Sequence, residues 1–238
     1  MSHLLKVEWR KQRKGVLLVP ILLCLILLPV IGGMAFSYLI QNDRTVEQVW
    51  AIIYETFHLL WSYVVIIVIV IYAALVVDVE HRSGMWPSVL LYPYAKWKHF
   101  FIKVLWVFIL VQLFGLISWV SIATVSLLYG GVESSELIAF GTLLYLPFLL
   151  ALPFVIFQTF LSVVLSNSFV SMGIGMFVFL FHNLLPSVWL PWGSMIQPFL
   201  EGQPVNVVDI IFLMVGAALY TMISLFFFER KTFSTGVE

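Results

Sequence analysis

The sequence predicts an all-α membrane protein of six transmembrane helices with both termini in the cytoplasm, and three observations carry that expectation. Of its 238 residues, 62% are hydrophobic and only 10% charged, against roughly 25% charged in an ordinary soluble domain. Charge-free apolar runs recur at lengths that suit a bilayer. Once those runs are taken as spans, eleven of the twelve Lys and Arg residues fall on one side.

A globule in water needs a charged shell around its apolar interior, and a mean hydropathy of +1.08 leaves almost nothing with which to build one. Lipid is therefore the solvent. The formal net charge is zero, so no nucleic acid or other polyanion is expected as a partner. The single cysteine, Cys24, lies inside an apolar run and excludes an intrachain disulfide or a Cys-based metal site. The basic start before Val16 has the form of a secretory leader, but the uncharged stretch from Gly15 to Asn42 is too long for one and lacks a small-x-small cleavage site. It reads as an uncleaved first span.

A spanning helix needs about 20 mostly apolar residues to cross a hydrocarbon core of roughly 30 Å. Gaps between charges place spans at about 16–40, 56–77 and 104–129. No charged residue occurs between Glu136 and Glu201, a tract long enough for two spans, at about 138–165 and 169–189, with Ser166, Asn167 and Ser168 as the turn. The sixth runs from about 207 to 228 and stops at Glu229, Arg230 and Lys231. The whole of 1–238 reads as one transmembrane domain. Pro147 and Pro153 in the fourth span, with Gly173 and Gly175 in the fifth, permit bends or close helix approach.

Basic residues near span ends are retained in the cytoplasm. With the N-terminus inside, Lys6, Arg10, Lys11, Arg13, Lys14, Arg82, Lys96, Lys98, Lys103, Arg230 and Lys231 are all cytoplasmic and only Arg44 is outside. Trp50, Trp61, Trp106, Trp189 and Trp192 fall near span ends, where an amphipathic ring prefers the headgroup level. The segment from Pro186 to Asn206, with Pro191, Pro198 and Pro204, cannot be helical throughout.

Ionisable groups inside a bilayer mark function, since each costs roughly 2.5–3.5 kcal/mol at the centre on insertion scales. Few occur here: His58 in the second span, His182 beside Asn183 in the fifth, and Asp209 at the start of the sixth. None has an obvious partner. A paired glutamate motif and a Gly-x-Ser-Gly motif, the marks of two classes of intramembrane protease, are both missing. So is any Gly-Lys-[Ser/Thr] phosphate loop. The chain is read as non-enzymatic, with no catalytic residue, metal site or cofactor of its own.

The one sizeable cytoplasmic loop, Asp78 to Lys103, places Glu80, Arg82 and Gly84 before an apolar run from Met85 to Tyr92 that stops at Pro93. That run is too short to span, so it lies in the interface or docks on a partner. The order Glu80, Arg82, Gly84, an apolar turn, Tyr92-Pro93, a basic cluster and Lys103 resembles the loop of ABC-2-type permeases, which forms a short coupling helix docked on the ATP-binding subunit. The N-terminal LLKVEWRKQRKG is similar to that family's amphipathic elbow helix.

The resemblance implies that Glu80, Arg82, Gly84, Met85, Trp86, Pro93 and Lys103 belong to a partner-coupling region. It implies likewise that Trp9, Arg10, Lys11, Arg13 and Lys14 lie on the inner membrane surface. Implied partners are ATP-binding-cassette ATPase subunits, which would bind ATP and Mg, and a second permease copy or a sister permease. The short outer loops are most similar to the permeases of lantibiotic-immunity and bacitracin-resistance transporters. That likeness implies a bacterial cell membrane and an exporter of amphipathic or hydrophobic substrates such as antimicrobial peptides. Two other readings stand beside it: a substrate-capture subunit of an energy-coupling vitamin transporter, and an intramembrane hydrolase built on His182 and Asn183.

Overall fold

The computed structural model describes residues 6, 10–12, 14–42, 44–84, 96–129, 141, 144–165, 167–181, 184, 190–193 and 207–230. Every element among them is helical: α1 (Lys14–Gln41), α2 (Val46–Arg82), α3 (Lys96–Tyr129), α4 (Leu152–Val164), α5 (Ser168–Phe181) and α6 (Val207–Arg230). Among the described residues, four stretches are long and apolar enough to cross a membrane: Leu17–Gln41, Tyr63–Arg82, Trp97–Tyr129 and Ile210–Arg230. The segment Leu144–Leu150 and α4 make a fifth if their 55° bend is counted within one span. The described part of α5 has 14 residues, or about 21 Å at 1.5 Å per residue.

The second and third helices are longer than charge gaps alone indicate. α2 starts ten residues before the expected 56 because Thr45 and Gln48 form a capping box: Gln48 N–H donates to Thr45 Oγ1 (3.3 Å) and Thr45 N–H to Gln48 Oε1 (3.2 Å). These reciprocal bonds satisfy amides that would otherwise be orphaned at a helix start. At 37 residues α2 is about 55 Å long, so it carries Glu47 at one end and Asp78, Glu80 and Arg82 at the other. α3 likewise begins at Lys96 and takes Lys98 and Lys103 into its first turns.

The fourth span is broken rather than continuous. Pro153 has no N–H for the Leu149 carbonyl and its ring displaces the preceding turn, so the helix stops at Ala151 and restarts with Pro153 in its first turn. Two carbonyls of the segment before the break also accept side-chain donors from neighbouring helices. Gln112 Nε2 donates to Phe148 O at 2.7 Å, and Trp61 Nε1 to Leu144 O at 2.8 Å. In lipid no water is available to take their place. Trp61 is accordingly buried, with its ring edge-on to Phe148, so it packs against protein near the end of its span.

α2 and α3 form the centre of the bundle, half or more buried along their apolar windows, whereas α1 and α6 are peripheral, with 22% and 11% of theirs buried. Cross-helix pairs fix which ends meet. Lys11 with Glu80, His81 with Ser162, Ser168 with Asp78 and Phe100 with Phe228 lie at one end. Phe36 with Trp50 and Tyr129 lies at the other. Successive helices thus alternate in direction, and the first end holds all but one of the described basic residues.

Of the two glycines expected to ease packing in the fifth helix, one does so. A Cβ on Gly175 would lie 2.4 Å from Val70 Cγ2 and 3.0 Å from both amide atoms of Gln158, whereas Gly173 faces open space. Gly175→Ala should therefore lower the detergent-solubilised melting temperature, at a cost of about 1–3 kcal/mol from overpacking. Gly173→Ala should leave it unchanged or raise it through helix propensity, by up to about 1 kcal/mol.

Candidate functional site: a buried charge cluster at the basic end

Glu80, near the end of α2, is 1% exposed, and so is Lys103 of α3. Lys103 Nζ lies 2.6 Å from Glu80 Oε2, and Lys11 Nζ, reaching in from the N-terminal segment, lies 3.3 Å from Glu80 Oε1. One carboxylate thus holds two ammonium groups, one on each oxygen. Gln12 strengthens the same junction: it is buried and its Nε2 donates to Val76 O at 3.2 Å, one turn before Glu80. Tyr72 OH, a further turn back, donates to Leu17 O at 3.3 Å. The start of α1 is thereby fastened along the final turns of α2.

A second set of polar contacts joins α2 to α4 and α5. Asp78 Oδ1 accepts from Ser168 Oγ at 2.7 Å while Oδ2 pairs with Arg82, one turn along the same helix. His81 Nε2 meets the Ser162 carbonyl at 2.8 Å and so occupies one of the acceptors left over at the C-terminus of α4. Deeper along the same seam Gln158 Nε2 donates to Ser171 O at 3.0 Å, and the Ser162 and Ser171 hydroxyls are 2.7 Å apart. The buried members, Gln158, Ser162 and Ser171, sit in a medium where an unmade hydrogen bond costs more than in water.

The residues expected to couple to a partner separate into groups. Glu80 and Lys103 are brought together and buried, so they join α2 to α3 instead of presenting a surface. Arg82 is exposed, and Gly84 ends the helical stretch in the left-handed region (φ 60°), a conformation that carries no steric penalty only for glycine. Met85, Trp86 and Pro93 lie outside the described residues.

Among the elbow residues, Arg10 is exposed, while Lys11 is drawn into the cluster. Lys14 opens α1; Trp9 and Arg13 lie outside the described residues. His58 and Asp209 fall within α2 and α6 but their side chains are not described, and His182 and Asn183 lie outside the described residues. Among the described residues no group of three or more His, Cys, Asp or Glu is placed to hold a metal ion.

Sequence reading placed Glu80 and Lys103 together in the coupling region and Lys11 apart in the elbow, and did not foresee the convergence of all three. His81, Gln112 and Ser162 were not anticipated at all. Their only signal is a polar side chain at the edge of, or inside, an apolar run.

Removing one member of a buried ion pair strands the other, at about 3–5 kcal/mol, whereas replacing both with apolar groups of similar size is often neutral. Lys103→Met and Glu80→Gln should each lower the melting temperature of the purified chain strongly. Glu80→Leu combined with Lys103→Met should recover much of the loss. Lys11→Met, at the more solvated position, should cost about 1 kcal/mol or less. Equal effects of Lys11→Met and Lys103→Met would show that the cluster is not organised around the Lys103 pair.

The family model described as ABC-2 family transporter protein matches residues 4–182, three-quarters of the chain. That range takes in the N-terminal segment, the Glu80 cluster, the broken α4 and all of α5, and stops before α6. No curated protein and no solved structure matches the chain significantly. The match covers five of the six described helices and the charge cluster at the basic end, and the chain belongs to the ABC-2 family of transporter proteins.

Proposed function

We propose that the chain is the membrane-spanning permease subunit of an ATP-driven exporter, crossing the bilayer six times with both termini in the cytoplasm and working as a pair with a second copy or a sister permease. ATP and Mg belong to separate ATPase subunits that dock on the cytoplasmic end, and the chain itself carries out no hydrolysis. The observation that carries this reading is the junction at Glu80. It ties Lys11 of the N-terminal segment, the last turns of α2 and the first turns of α3 together, on either side of the sequence segment 85–95.

A push on that segment by an ATPase closing around nucleotide is then delivered to three helices at once. Alternating access requires such a connection between the face where ATP is used and the helices that move. The bundle offers no charge cluster among the described residues apart from the one at its basic end, which favours amphipathic or hydrophobic cargo over small ions. Within that class an antimicrobial peptide, exported for self-immunity or resistance, fits best.

The decisive experiment is affinity purification of the full chain from its native membrane. An ATP-binding-cassette ATPase should accompany it. Met85→Ala with Trp86→Ala should reduce that association about tenfold or more, as for loss of a buried interface anchor, while leaving the melting temperature unchanged. Glu80 is unsuited to this test because its removal acts on the fold. Undiminished association with the double variant would remove the coupling role of the loop.

Orientation has its own check. In a Cys24→Ser background, Ser83→Cys should react with a membrane-impermeant thiol reagent only after the cell is opened, and Asn42→Cys should react in intact cells. Both positions are exposed, and Cys24 is buried.

A further inference from the structure

We infer that the recess between the N-terminal segment and the end of α2 binds the headgroup of a phosphatidylethanolamine molecule of the inner leaflet. The cavity measures about 420 Å³ and is lined by Gln12, Leu17, Leu75, Asp78, Arg82 and Ser83, among others. That volume falls within the roughly 300–1,000 Å³ of small-molecule sites and is many times the roughly 30 Å³ share of one water molecule. Its walls are graded. Leu17 and Leu75 form the deeper, apolar part, and Asp78, Arg82 and Ser83 form the rim where α2 ends. With the basic end at the cytoplasm, this gradient lies where hydrocarbon gives way to headgroups.

The rim chemistry selects the occupant. Arg82 has a side chain two-thirds exposed and engages Asp78 through Nε, which leaves the N–H groups of its two terminal nitrogens to grip a phosphate diester. Asp78 accepts one contact on each oxygen, from Ser168 and from Arg82, and a carboxylate oxygen has room for a second donor. A guanidinium beside a carboxylate with spare capacity matches a phosphate joined to an ammonium by a short ethylene linker. Phosphatidylglycerol brings the phosphate but no cation for Asp78. Phosphatidylcholine brings a cation with no N–H to donate. The inference depends on the orientation proposed above and not on export or on any ATPase.

The test uses the full chain reconstituted in vesicles with equal parts phosphatidylethanolamine, phosphatidylglycerol and phosphatidylcholine. The chain is then re-extracted, and the lipid retained on it is quantified by mass spectrometry. Phosphatidylethanolamine should be retained about threefold to tenfold over each of the other two lipids, the range set by one or two charge-assisted hydrogen bonds at a half-solvated site. Asp78→Asn, which keeps an acceptor for Ser168, should erase the preference over phosphatidylcholine. Arg82→Gln should lower retention of every phospholipid.

Leu75→Trp fills the recess without touching the charges and should abolish the enrichment, so the proposal stays testable if either charge variant fails to fold. Retained lipid in bulk proportions, dominance of phosphatidylglycerol, or an enrichment that survives both Asp78→Asn and Leu75→Trp would each overturn it.

Discussion

The structure depends on a single buried carboxylate. Glu80 sits with Lys103 where water is nearly excluded, and neither charge is tolerable there alone. Because the two belong to different helices, and Lys11 to a third segment, satisfying Glu80 sets the relative depth of α1, α2 and α3 at the basic end. Apolar contacts farther along the bundle, such as those of Phe36 with Trp50 and Tyr129, are compatible with small sliding motions. The ion pairs are not, because their geometry is directional and their disruption is costly.

A second constraint comes from the backbone. Membrane helices associate without a hydrophobic drive between them, so packing and hydrogen bonds decide their arrangement. The break at Ala151 turns this into a specific pattern. Carbonyls around and beyond the break are taken up by Gln112, Trp61 and His81 from α3 and α2, which locks a bent element against two straight ones. Gly175 then lets α5 approach α2 at the level of Val70, and the Ser162–Ser171 contact joins α5 to α4. Bend, close approach and polar seam form one unit, built from residues that are individually unremarkable in sequence.

The membrane class, the approximate positions of the long helices and the gathering of basic residues at one end were legible because each follows from composition summed over many residues. Helix limits were less so. A search for charge-free gaps ends a helix at its first charge, and therefore missed the ten residues between Thr45 and the expected start of α2, where Glu47 and Glu55 lie on helical turns. The Thr45–Gln48 cap was readable as a local motif and would have corrected this. Pro153 announced a break in the fourth span, but sequence alone does not say which partners accept the loose carbonyls. The junction of Lys11, Glu80 and Lys103 was illegible for a different reason. Its members are separated by dozens of residues, and each had a sufficient local explanation as a headgroup contact or a docking residue.

The placement of Glu80 also bears on how the protein is made. Lys11 and Glu80 are synthesised before Lys103, so α2 must leave the ribosome and enter the membrane carrying a carboxylate whose principal counter-ion does not yet exist. Until α3 arrives, that acid has either to stay at the water boundary or to lean on Lys11 alone, and the last turns of α2 are held shallow. Arrival of Lys103 removes the penalty and lets the helix settle to its final depth together with its neighbour. The buried Glu80–Lys103 pair thus makes the burial of one helix end conditional on the presence of the other.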